Sequence, residues 1–264
     1  MIPVIKWTLW QRRWSTLWWA ITLFALIFFT LIFYPSFKDE AEQLQKTFAD
    51  LPDAAVQLFG GSSDFFSPIG YLNSQLFFFV LPLVLGILAI GMGSNLIGKE
   101  EQDLTIESLL SRPISRTRLL IAKAVAGIII LTGVSLIGLA TTIMVGWLVE
   151  LAVPARLTAA AYGVCFLLVL SFGAIAFLLS SLGRARAASI GITTFIAFGG
   201  YIISSLAGTV DWLRVPSKIF PFDYYKSEAI LRENYDSLNL LFFVAVILGC
   251  ALIAWLSFRR RDLI

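Results

Sequence analysis

Histidine is absent from this 264-residue chain. That absence removes histidine-containing zinc sites, Ser-His-Asp and Cys-His catalysis, and the histidine-based intramembrane protease motifs. Cysteine is nearly absent too: Cys165 and Cys250 both fall inside long apolar runs, where they act as small apolar residues and not as a disulfide framework. Charge is scarce. Only 14% of residues are charged against 58% hydrophobic, and the mean hydropathy of +0.85 excludes an ordinary soluble domain. No Asp, Glu, Lys or Arg stands at the middle of an apolar run, so the buried ion or proton relay expected of a secondary carrier is missing.

What is present is hydrocarbon-length sequence. About 20 helical residues cross the ~30 Å core of a bilayer, and six runs reach that length: 14–37, 76–97, 119–149, 157–182, 187–210 and 238–258. They predict an all-α integral membrane protein folded as a single transmembrane domain over residues 1–264. The third run holds one charge, Lys123, close enough to its start for the amine to snorkel to the headgroups or to meet the preceding polar segment. With the N-terminus inside, the inner segments carry 13 basic and 5 acidic residues, and the outer segments 7 and 12. Basic residues mark the cytoplasmic side, so both termini are expected there.

The first apolar run is of full span length with no small-residue cleavage site after it, which predicts an uncleaved first helix. Before and into it, Trp7, Trp10, Trp14 and Trp18 recur at steps of three and four, the pattern of an amphipathic helix lying in the interface.

Residues 98–118 are polar and proline-punctuated, between two apolar runs. Asp103 is placed to cap a short helix over 104–111, which Pro113 ends. Ile106, Leu109 and Leu110 share one face of that helix, with Glu107, Ser108, Ser111 and Arg112 supplying polar surface. Ser115 is placed to cap the third spanning helix. Gly93, Gly98 and Lys99 imitate part of a nucleotide-binding loop, but Glu100 stands where Ser or Thr is needed, and an apolar run replaces the required strand. This segment does not bind nucleotide.

The outer segment 38–75 steps Leu44, Phe48, Leu51, Ala55 and Leu58 at helical spacing, with an interruption near Pro52. The later outer segment mixes Trp212, Pro216, Phe220, Pro221, Phe222, Tyr224 and Tyr225 with charges, which reads as short interfacial pieces. Gly200, Ser204 and Gly208 repeat every four residues on the fifth run and predict close helix packing.

Glu100, Glu101, the run from Thr105 to Leu110, Arg112-Pro113, Ser115-Arg116 and Lys123 resemble the pattern of the permease subunits of ABC-2 type ATP-binding-cassette transporters. The resemblance extends along the whole chain to the basic cluster at Arg259 to Leu263. It implies an N-terminal interfacial helix, six membrane helices, a coupling helix between the second and third, and short external helices between the fifth and sixth. It further implies a permease half in the cell membrane, paired with a second copy or a homologue, each resting on a separate ATPase subunit that binds ATP and Mg. Carried over, Glu100, Glu101, Thr105, Leu109, Leu110, Arg112 and Arg116 contact or position against that ATPase, and Pro113 shapes the turn. No catalytic residue, metal site or cofactor is expected in this chain, and lipids rather than nucleic acid surround it. Export is favoured by the likeness alone.

Read without the resemblance, the residues leave open a secondary carrier with an unrecognised site, or a non-transporting membrane anchor or immunity-type interaction protein. An uncharged interior suits a lipid, an apolar drug, a peptide or a passing ion.

Overall fold

The computed structural model describes residues 1–39, 67–102 and 115–260. The short helix expected over 104–111, and most of the outer helical pattern between 38 and 75, lie outside those residues. Six long helices stand among the described residues: α1 (Ile2–Ile32), α2 (Val80–Gln102), α3 (Arg116–Leu148), α4 (Ala155–Ser181), α5 (Arg186–Leu206) and α6 (Asn239–Arg260). Each is long and apolar enough to cross a membrane.

Helix boundaries follow local chemistry. The Ser115 hydroxyl accepts the Arg118 N–H at 3.4 Å and caps α3, as the sequence predicts. Ser67 does the same for the short helix Pro68–Leu72, accepting from the Gly70 N–H at 3.0 Å with Pro68 at the first position. Gly183, at φ 83°, ends α4 with the Arg184 N–H bonded to the Leu179 carbonyl at 3.2 Å. Glu150, at φ 53°, closes α3 in the same way through the Leu151 N–H to the Gly146 carbonyl at 2.8 Å.

The expected interfacial helix and the first span form one unbroken helix, α1. Its 31 residues span about 46 Å at 1.5 Å per residue, more than the ~30 Å of hydrocarbon. The turns carrying Trp7 and Trp10, both more than half exposed, therefore continue the span into the interface.

Helices α2 and α4 form the centre of the bundle, α1 lies on α3, and α6 packs on α4. Small residues permit the central crossing: a Cβ on Gly93 would stand 2.3 Å from the Gly173 carbonyl oxygen, and one on Gly173 would stand 3.3 Å from the Ala89 oxygen. Gly98 lies against Arg186 at the start of α5. The glycines that imitate a phosphate loop are thus helix-crossing residues.

Between α5 and α6 the chain makes four short pieces, Asp211–Leu213, Arg214–Ser217, Pro221–Tyr224 and Ser227–Leu231. These are the expected external helices.

Candidate functional site

At the end of the bundle that carries the N-terminus, the α2–α3 and α4–α5 connections and the C-terminal basic residues, polar side chains tie the helices together. Arg12 of α1 donates to the Asn95 carbonyl of α2 at 3.4 Å and lies 3.8 Å from Met92 Sδ. Ser180 of α4 donates to the Ser94 carbonyl at 3.2 Å. Trp255 of α6 donates to Thr117 of α3 at 3.3 Å, and the Arg259 guanidinium stands 5.1 Å from the Trp255 ring. The last turns of α2 are thereby bonded to α1 and α4, and the first turn of α3 to α6.

Of the residues expected to meet an ATPase, Glu100 and Glu101 fall in the last turn of α2, and half-buried Arg116 opens α3. Thr105, Leu109, Leu110, Arg112 and Pro113 lie outside the described residues. Lys123 is 3% exposed and engaged, so its amine is not left open to solvent.

The opposite end is built differently. A π-turn at Asn73–Phe77 precedes α2, with the Phe78 N–H bonded to the Asn73 carbonyl at 2.7 Å. Pro82, four residues on, has no N–H to return to the Phe78 carbonyl, so the regular ladder is broken here. The external segment fills the gap. Tyr225 donates to the Phe77 carbonyl at 2.8 Å, and Ser227 donates to Asn73 Oδ1 at 2.6 Å. Burial, reinforced by the neighbouring Cys165, pushes the Tyr225 hydroxyl well above its ordinary range, so it remains a donor at physiological pH.

Tyr201 of α5 is the hub of an aromatic cluster at this end. Its ring centroid lies 4.7 Å from Phe79, 5.8 Å from Phe78, 6.3 Å from Phe198 and 5.6 Å from Phe222. Gly200, expected to pack helix on helix, faces the external segment instead: a Cβ there would stand 2.9 Å from the Phe220 ring. Ser204 is half-buried, its Oγ enclosed without a hydrogen-bond partner among the described residues. Gly208 is exposed in the turn after α5.

Two cavities share Tyr201 and Phe222 in their walls. The upper one, about 140 Å³, is lined by Ser204, Asp223 and Lys226 beside the aromatic rings. The lower one, about 80 Å³, runs between α2, α4 and α5 past Gly86, Ile87 and Phe198. Tyr201 carries no signal in the sequence pattern, and Pro82 is the residue whose type announces the broken ladder beside it.

Six helices long and apolar enough to span a bilayer, among the described residues, define a multi-pass integral membrane protein. The family model described as ABC-2 family transporter protein matches residues 3–263, nearly the whole chain, and the chain belongs to that family. No curated protein matches the sequence. Membership makes the chain a permease-type membrane component, in a family that works with ATP-binding subunits.

Proposed function

We propose that this chain is the permease subunit of an ABC-2 exporter, with its basic end in the cytoplasm and a separate ATPase docked on residues 98–118. The observation that carries the reading is the bonding of the basic end. Helices α2 and α3, which flank the docking segment, are hydrogen-bonded to α1, α4 and α6, so a displacement of that segment moves the bundle as a body. ATP and Mg belong to the partner, and a second permease copy or a homologue completes the pathway. The residue roles carried by the resemblance hold under this reading: Glu100, Glu101, Thr105, Leu109, Leu110, Arg112 and Arg116 face the ATPase, and Pro113 sets the turn.

The test is co-purification with the partner ATPase, comparing the wild type with Leu109→Asp plus Leu110→Asp. Loss of the partner, or loss of ATPase stimulation in a folded complex, is the expected outcome. A folded double variant that keeps its partner and stimulates hydrolysis as well as the wild type would remove the coupling assignment.

A further inference from the structure

The two adjacent cavities that share Tyr201 and Phe222 in their walls differ in chemistry in the way the two halves of an amphiphile differ. The upper one combines a half-buried carboxylate, Asp223, an exposed ammonium, Lys226, and the enclosed, unpartnered Ser204 hydroxyl with the rings of Phe78, Tyr201 and Phe222. Among the described residues Asp223 and Lys226 make no ion pair, whereas Arg156–Glu233, Arg214–Asp211 and Arg232–Glu228 pair at the same end. The lower cavity is walled along one side by Phe79 and by α2 from Pro82 to Ile90, together a helical rise of about 16 Å, close to half of the ~30 Å hydrocarbon core, and its lining is apolar apart from Thr194 and the Tyr201 hydroxyl.

We propose that this paired cavity binds a zwitterionic amphiphile, with its head in the upper chamber and one alkyl chain in the lower. Asp223 and the aromatic faces take the head's quaternary or primary ammonium, because a carboxylate and ring quadrupoles both favour cations. Lys226 and the Ser204 hydroxyl take its phosphate, which supplies the acceptor that Ser204 lacks. The chain lies along α2 beside Gly86, where a Cβ would meet nothing within 4 Å. That such an amphiphile is the cargo rests on the permease reading; that it binds does not.

The experiment uses the full chain purified in a maltoside detergent, without ATPase, so failure of coupling and failure of binding are distinguishable. The probe is a lysophosphatidylcholine with a photoreactive group on its chain. Crosslinks are expected in residues 79–90 and 194–201, competed at least tenfold better by unlabelled lysophosphatidylcholine than by lysophosphatidic acid or an alkyl maltoside. Gly86→Leu fills the lower cavity while improving helix propensity, and is expected to cut labelling at least tenfold with thermal stability unchanged or raised. Asp223→Asn, at a half-buried position, is expected to erase the preference for the zwitterion while leaving chain-dependent labelling. Labelling that ignores the headgroup, that survives Gly86→Leu, or that maps to other helices would overturn the proposal.

Discussion

The two ends of the bundle solve the same problem, terminating helices at a membrane boundary, with opposite chemistry. At the basic end the ties run from side chain to backbone or side chain to side chain between long helices: Arg12 to Asn95, Ser180 to Ser94, Trp255 to Thr117. These links join rigid bodies and leave the helices themselves regular. At the opposite end the helix is irregular, with the π-turn and Pro82 interrupting the backbone ladder, Tyr225 bonding the Phe77 carbonyl and Ser227 bonding the Asn73 side chain from the segment between α5 and α6. A regular, cross-bonded end transmits displacement, whereas an irregular end bonded by a separate segment yields where that segment lifts away. Under the proposed permease reading, the basic end receives motion and the other end opens.

Gly93, next to Ser94 and Asn95 of the basic end, sits at the α2–α4 crossing that both ends share, and its substitution should do the most damage. Gly93→Val drives a side chain into the Gly173 carbonyl, so α2 and α4 must separate. Overpacking of this kind costs about 3 kcal/mol, and thermal unfolding of the purified protein should show both ends destabilised together.

Tyr225→Phe should discriminate between the ends. It leaves the buried Phe77 carbonyl without its donor, a loss of about 2 kcal/mol. Hydrogen exchange should rise in residues 68–80 and 225–231 and stay unchanged in 115–120. The converse variant, Trp255→Phe, removes a single half-buried hydrogen bond worth about 1 kcal/mol. Exchange should then rise in 115–120 and leave 68–80 as in the wild type. Equal changes at both ends in either variant would erase the distinction.

The sequence carried the local features well. The six apolar runs, the Ser115 cap and the proline- and aromatic-rich pieces between the fifth and sixth spans depend on neighbours within a few residues, and the structure has six helices long and apolar enough to span, the cap, and short helical pieces in that order. The resemblance also pointed to the right family. Long-range partners were not legible in the same way. The four-residue repeat of Gly200 suggested a helix neighbour, but its nearest atoms belong to Phe220, twenty residues on and outside any long helix. Gly93 and Gly98 imitate a phosphate loop that Glu100 and the missing strand already rule out, but the crossing partner of Gly93, the Gly173 carbonyl, has no signal in the spacing. Lys123 reads from its position as snorkelling or as meeting the preceding polar segment, and its burial at 3% exposure depends on tertiary packing that position alone does not give. The meeting of Phe79, Tyr201 and Phe222 brings three distant segments together, and no periodicity encodes it.

The account depends on which end faces the cytoplasm, and labelling of single cysteines in intact cells tests this most directly. In a background with Cys165 and Cys250 replaced, Lys46→Cys and Arg112→Cys are exposed in turn to a membrane-impermeant maleimide. Position 46 should label in intact cells, and position 112 only after permeabilisation. Labelling of position 112 but not 46 from outside would contradict the account, because the end assigned to receive ATP-driven motion would then face away from any cytoplasmic ATPase.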